Sequence, residues 1–196
     1  MGILAVVFLI GQRFNATWAG GDGYVPNLTL ESSAGELVHR GETVSTDTDE
    51  HLLLTNELIE IALDQNTDLE IITLNEQEVE LYLHRGRLGV RPGYGILSLN
   101  KYPVSRPDPI ITVRSDYIRS SFESPGQVSF VYYDFMNKVS IIPFDNIEVT
   151  YSVSNITGTT SESIDISELE PYTVETFEFK IPGSAAEEFY YWLGWE

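Results

Sequence analysis

The stretch VHRGETVSTDTDEHLLLTNELIEIALDQNTDLEII, Val38 to Ile72, decides the fold. It opens on a glycine-centred turn at Gly41 and crosses a polar, acidic run from Ser45 to Glu50. The spacing then predicts strands over Leu52–Leu54, Leu58–Leu63 and Leu69–Leu74, separated by tight turns at Asn56-Glu57 and Asp64-Gln65-Asn66. Apolar runs this short, bounded by Asn, Asp and Gly, suit antiparallel hairpins, because those residues accept the backbone conformations that a reversal demands. No residue in the stretch is placed for covalent chemistry.

Working outward, Glu78–His84 alternates cleanly: Val79, Leu81 and Leu83 share one face, and Glu80, Tyr82 and His84 share the other. That period of two marks a half-buried strand. Arg85-Gly86-Arg87 reads as a turn into a strand at Leu88–Val90. The segment Arg91 to Pro109 holds Pro92, Pro103, Pro107 and Pro109, so it reads as a long loop with a short strand at Ile96–Leu99. Strands follow at Ile110–Arg114, Tyr117–Phe122, Val128–Phe135, Lys138–Ile142 and Ile147–Val153, the last with Ile147, Val149, Tyr151 and Val153 inward. Ser154–Ser163 reads as a polar loop, and Ile164–Leu169 and Tyr172–Ile181 as two more strands. Ser184-Ala185-Ala186-Glu187 is a capping box. It predicts a helix over Ala185–Leu193 that sets Phe189, Trp192 and Leu193 against the sheet. In Tyr132-Tyr133 and Tyr190-Tyr191 one ring belongs to the core and the other is left as contact surface. The chain is therefore all-β, a compact antiparallel β-sandwich or β-roll of about 10–13 short strands with a short C-terminal helix.

The 196 residues carry a net charge of −19, with 42% hydrophobic and 12% aromatic content. Such a chain folds, and its surface repels phosphate backbones and anionic headgroups, which excludes nucleic acid as a partner class. Acidity of this kind also keeps an exposed β surface soluble. With no cysteine, disulfides and thiolate metal sites are excluded. Met1 to Gly11 is uniformly apolar but shorter than the roughly 20 residues of a complete membrane span. It also lacks the basic start and the cleavage site of a signal peptide. We read it as the outer end of a membrane anchor, with a buried first strand as the alternative. Ala19 to Gly23 then forms a glycine-rich tether, so that residues 1–23 are anchor and tether and 24–196 the β-domain.

His39, His51 and His84 show no metal-ligand spacing, and no nucleophile elbow or phosphate loop is present. No catalytic residue and no cofactor is assigned. His39 and His84, each beside an arginine and a glycine turn, read as exposed turn-flanking residues. The candidate cation site is the acidic run, where Asp47, Asp49 and Glu50 offer alternating oxygens that suit calcium; a solvated acidic turn is the competing reading. The positive charge concentrates mid-chain, at Arg85, Arg87, Arg91, Arg106, Arg114 and Arg119. These arginines either receive an acidic ligand or pair with neighbouring carboxylates. Arg85, Arg87, Arg91, Arg114 and Tyr133 are the candidate ligand or partner contacts.

Several of these runs resemble the extracytoplasmic domain of the FecR family. Arg40-Gly41-Glu42-Thr43-Val44-Ser45-Thr46-Asp47 is similar to its G-d-x-[IV]-x-T entry, followed by a strand pair at Leu52–Leu54 and Ile59–Leu63. Asn66-Thr67-Asp68-Leu69 is similar to its n-[ST]-x-[LV] step. Glu80 to Leu88 is similar to its v-x-L-x-x-G-x-[VL] pattern, and Val139–Val149 to its later hairpin. The resemblance spans about Leu28 to Val153. It implies a membrane-tethered, extracytoplasmic domain of a transmembrane signalling regulator, which senses or binds a protein in the bacterial envelope and has no enzymatic activity. Two alternatives stay open: a structural envelope or surface-layer component, and a carbohydrate-binding domain.

Overall fold

The computed structural model describes residues 28–93, 109–123, 126–133, 138–144, 147–153, 156–167, 173–176 and 185–194. The anchor and tether, the Ile96–Leu99 strand, Arg106 and nearly all of the proline-rich loop lie outside the described residues. The described strands are β1 (Leu30–Ser32), β2 (Leu37–Val38), β3 (Thr43–Ser45), β4 (Leu52–Thr55), β5 (Ile59–Leu63), β6 (Asp68–Leu74), β7 (Glu78–Pro92), β8 (Ile110–Arg114), β9 (Ile118–Glu123), β10 (Val128–Tyr133), β11 (Lys138–Pro143), β12 (Val149–Val153), β13 (Ile156–Thr160), β14 (Ile164–Ser167) and β15 (Thr173–Thr176). One helix, α1, spans Ala185–Leu193.

Asparagine chemistry builds the tight reversals. Asn56 Oδ1 accepts the Leu58 and Ile59 N–H groups (2.8 and 2.9 Å), and Asn75 Oδ1 accepts those of Gln77 and Glu78 (both 2.9 Å). Each side chain satisfies donors that the turn would otherwise leave bare.

The fifteen strands form one continuous, open sheet folded into two layers, because β7 belongs to both. Its first half, Glu78 to Arg85, lies between β6 and β8. Its second half, Gly86 to Pro92, lies between β5 and β10. The first layer therefore runs β3, β6, β7, β8, β9, β12, β13, and the second runs through β1, β4, β5, β7, β10, β11, β14 and β15, with β2 on β1. The inner faces meet in a single core that joins Leu69, Leu81 and Ile111 of the first layer to Ile61, Leu88 and Ile141 of the second.

A continuous β7 corrects the expected turn at Arg85-Gly86-Arg87. The chain does not reverse there; it bulges. Pairing with β6 runs from Leu69↔Leu83 to Asp68↔Arg85 and skips His84. Gly86 takes φ +104°, a region closed to most side chains. The inward residues change from Val79, Leu81 and Leu83 to Leu88 and Val90, an odd-to-even switch that only an extra residue can produce. His84 consequently sits within a strand, exposed as expected but not beside a turn.

Other corrections are smaller. The expectation of purely antiparallel pairing fails at one place: β7 and β8 are parallel. Ser154–Ser163 contains strand β13, in which β-branched Ile156, Thr157, Thr159 and Thr160 offset the cost of Gly158. Tyr151 lies directly across from that glycine and covers it.

Gly86 generates the first prediction. A Cβ there would overlap both the Cα and the side chain of Thr67, a residue with no exposed surface. Gly86→Val should destabilise the protein by about 3 kcal/mol or more, from the backbone strain and the steric overlap together. Urea unfolding with an unchanged m-value is the measurement; a loss under about 1 kcal/mol would show that the bend does not need glycine.

Candidate functional site

The two layers present different outer faces. On the second layer, β5 turns Glu60 and Ala62 outward, with Asp64 following on the same side, β7 turns Arg87 and Arg91, and β10 turns Ser129, Val131 and Tyr133. Cross-strand register sets Glu60 opposite Arg91, and the two form an ion pair. One step past the last β5–β7 pair, Arg87 Nη1 binds Asp64 Oδ2 at 2.9 Å, with only 13% and 3% of the side chains exposed. The other Asp64 oxygen meets His51 Nε2 at 3.0 Å and also accepts the Gln65 N–H at 2.9 Å. A buried carboxylate with this many partners is well satisfied.

Helix α1 lies over this face. Phe189, Tyr190 and Leu193 pack on Ala62, Val131 and Ile142. The Tyr190 hydroxyl hydrogen-bonds Ser129 Oγ at 2.9 Å, and Ser129 in turn donates to the Leu88 carbonyl at 3.0 Å. The Arg87 guanidinium sits 5.9 Å from the centre of the Phe189 ring and 5.7 Å from that of Tyr190. These are cation–π distances. Trp192 stacks on His51, with ring centres 5.0 Å apart and planes 21° from parallel. Burial pushes the Tyr190 hydroxyl above the usual phenol range, and burial does the same at the half-buried Tyr133, each opposed by the Arg87 charge.

The helix itself is where the sequence placed it, but its buried residues differ. Phe189 and Leu193 are buried as expected, whereas Trp192 is 42% exposed and the buried place belongs to Tyr190. Of the paired tyrosines, Tyr132 and Tyr190 are buried, Tyr133 is half-buried, and Tyr191 is 87% exposed.

The outer face of the first layer is polar. Arg85 Nε pairs with Asp68 Oδ2 at 2.6 Å, and Arg114 Nε with Glu80 Oε1 at 3.0 Å. His84 Nε2 lies 3.3 Å from Glu70 Oε2. Tyr82 donates its hydroxyl to Asp116, and Tyr132 donates to the other oxygen of the same carboxylate at 3.3 Å. Its bond to Asp116, together with burial and the Asp116 charge, pushes the Tyr82 hydroxyl up to about 12, against the opposing charge of Arg114.

The candidate contacts therefore do not converge. Arg87, Arg91 and Tyr133 belong to one outer face, and Arg85 and Arg114 to the opposite one; each of the four arginines has a carboxylate partner. Asp47, Asp49 and Glu50 are exposed, and Glu50 Oε2 accepts the Asp47 N–H at 2.9 Å in a local turn. Among the described residues, no group of three or more His, Asp or Glu side chains is gathered as for a metal ion. Nor is any described helix long and apolar enough to cross a membrane. His51, read from sequence only as lacking metal spacing, joins the Asp64–Arg87 pair through a tertiary contact that local spacing does not encode.

Two crystal structures of a candidate anti-sigma factor from Parabacteroides distasonis ATCC 8503 share this fold at a TM-score of 0.52, over 70% of this chain, with 10% and 11% sequence identity. The match covers 60% of the length of each of those chains. At this identity the likeness is one of fold. No family model matches the chain, and no curated protein matches it significantly.

Two predictions follow from the geometry. Arg87→Ala removes the only charged partner of Asp64 Oδ2 among the described residues, leaving the buried carboxylate with His51 and the Gln65 N–H on its other oxygen, and should cost about 3 kcal/mol in urea unfolding. Arg85→Ala, at an ion pair whose arginine is 56% exposed, should cost about 1 kcal/mol or less; equal losses would contradict the burial contrast. Separately, Asp116→Asn should bring the Tyr82 ionisation down from about 12 toward the ordinary phenol value of about 10. Because the folded-state value is raised, this contribution to stability is complete below the unfolded phenol pKa and is lost as pH rises through the folded one. Tyrosinate absorbance during alkaline titration checks the shift, and an unchanged profile would remove Asp116 as its cause.

Proposed function

We propose that this chain is a non-enzymatic sensing and protein-binding domain of the FecR kind, held outside the membrane by its N-terminal apolar segment and serving an envelope signalling system. The observation that carries the proposal is the shared two-layer β fold of the Parabacteroides distasonis candidate anti-sigma factor. The order of glycine-turned motifs from Arg40 to Val149 supports the same family reading. A protein is the partner class that suits the net charge of −19, which disfavours polyanions. Binding draws on the outer side of helix α1, which covers the second layer and leaves Tyr191 and Trp192 exposed, aromatic residue types enriched in protein interfaces. Arg85 and Arg114 on the opposite face offer a second, more solvated contact surface.

The test is topological. Alkaline phosphatase joined after Glu196 of the chain as its native host expresses it, with the complete membrane anchor, should give active enzyme, while green fluorescent protein at the same junction, exported through the general secretion route, should stay dark. The reverse pattern would place the domain in the cytoplasm and end this reading.

A further inference from the structure

Among the described residues the sheet ends in four edge strands: β2, β3, β13 and β15 each pair on one side alone. Three of them are guarded. β2 and β3 have two and three residues and follow Glu36 and Glu42, and β15 carries Glu175. Short length and charge are the means by which a sheet edge avoids adding further strands. β13 has neither protection. It runs for five residues, Ile156–Thr160, inside a stretch from Val149 to Ser161 that holds no Asp, Glu, Lys or Arg, although such residues make up 21% of the chain. Hydrogen-bond alternation fixes what this edge offers. The Ser115 N–H donates to the Ile118 carbonyl at 2.9 Å. Pairing then alternates outward through the β8–β9, β9–β12 and β12–β13 registers, so that Arg119 and Ser121 bond to β12, and Val149, Tyr151 and Val153 bond to β13. The main-chain N–H and C=O groups of Thr157 and Thr159 consequently point away from the sheet, and the side chains of both threonines are exposed.

From these observations we infer that β13 is a dimer contact: two copies of this chain join edge to edge, antiparallel about a two-fold axis at Gly158. A register centred there sets Thr157 of one copy opposite Thr159 of the other, twice. All four outward groups then find partners, each N–H donating to a carbonyl of the opposite threonine. Ile156 meets Thr160, so the whole strand is paired, whereas centring on Thr157 or Thr159 leaves part of it overhanging. At the axis Gly158 faces Gly158, where the two backbones approach most closely and a side chain would intrude. Charge selects the same occupant. A net charge of −19 makes copies of this chain repel at most approaches. β13 is the described edge that two copies can share without setting charge on charge, since Glu148 and Glu162 bound its stretch without entering it. Four main-chain hydrogen bonds make a small contact of the transient class, so the dimer is best caught covalently.

The chain has no cysteine, so one introduced thiol reports on one place. In the Thr157→Cys dimer, a strand spacing of about 4.8 Å and an offset of two residues put the substituted Cα atoms roughly 8 Å apart, within reach of a short bismaleimide. Full-length Thr157→Cys in detergent micelles, treated with that reagent, should run as a covalent dimer on denaturing gels. Glu188→Cys, at an exposed position of α1, should not. Adding Thr159→Pro to Thr157→Cys removes an outward N–H, leaves the β12 ladder untouched, and should cut the cross-linked fraction at least about tenfold. Thr159→Val keeps that N–H and should leave the fraction unchanged. If the proline variant loses its native circular dichroism, Thr159→Glu takes its place, setting two like charges near the axis through an exposed side chain. Raising the ionic strength from about 0.01 M to about 0.15 M shortens the reach of the mutual repulsion from roughly 30 Å to roughly 8 Å, so the dimer should increase. No cross-link at Thr157→Cys, equal cross-linking at Glu188→Cys, or a cross-link that survives in folded Thr159→Pro or Thr159→Glu would overturn the inference. A dimer that weakens with salt would overturn it too, because charge pairs would then hold it. These readouts are independent of the side of the membrane on which the domain lies, so a failed fusion test and a failed cross-link point to different errors.

Discussion

One strand must serve two layers, and the structure depends on the place where it changes allegiance. At Gly86 the chain needs an extra residue, a positive φ and room for the side chain of Thr67, and glycine alone meets all three conditions. The corner is closed by hydroxyls: Thr67 Oγ1 accepts the Arg87 N–H and donates to the Arg87 carbonyl, both at 3.1 Å, while Thr46 Oγ1 accepts the Thr67 N–H at 2.9 Å. Thr46 and Thr67 are both buried. Backbone groups that leave one ladder before entering the next are thus paired locally rather than abandoned.

The same corner positions the charge. Because the bulge switches which residues face inward, Arg87 and Arg91 come to lie outward, Arg91 opposite Glu60 of β5 and Arg87 beside Asp64 just past its end. A slip of one residue in that pairing would drive both arginines into the core. The Asp64–Arg87 pair repays its desolvation only through good geometry and additional partners, which His51 and the Gln65 N–H provide. Its clearest physical role is to make the β5–β7 register the only affordable one. The aromatic residues of α1 then exclude water from a pair that the sheet has already aligned.

Much of this was legible from sequence. Period-two alternation gave the first half of β7 and β12, short apolar runs between turns gave β4 to β6, and Asn56-Glu57 and Asp64-Gln65-Asn66 gave the reversals on either side of β5. The helix was legible from its capping residues. What sequence could not separate was a turn from a bulge at Arg85-Gly86-Arg87, since both demand a glycine at positive φ and differ only in what the flanking strands pair with. β13 was hidden by its polarity, because its threonines read as loop until Tyr151 is known to cover Gly158. The parallel β7–β8 pair follows from a long connection, whose path leaves no local trace. Trp192 and Tyr190 exchange roles for a related reason. Helical spacing names a face, but the Ser129 hydroxyl beneath it selects the phenol for burial, and His51 at the rim takes the indole.

That selection bears on which face is suited to recognition. On the first layer, charged side chains are matched pairwise in the open, where water competes with every bond and each pair contributes little. On the second, the Asp64–Arg87 pair is shielded by the Phe189 and Tyr190 rings, so the same chemistry operates there at lower dielectric. A surface of the first kind keeps an acidic β-protein soluble. A surface of the second kind carries a cost, because apolar Ala62, Val131 and Ile142 would stand exposed on the outside of a sheet whenever nothing covers them. Helix α1 supplies that cover: Phe189, Tyr190 and Leu193 close over these three residues, and the same rings shield the Arg87 charge beside them.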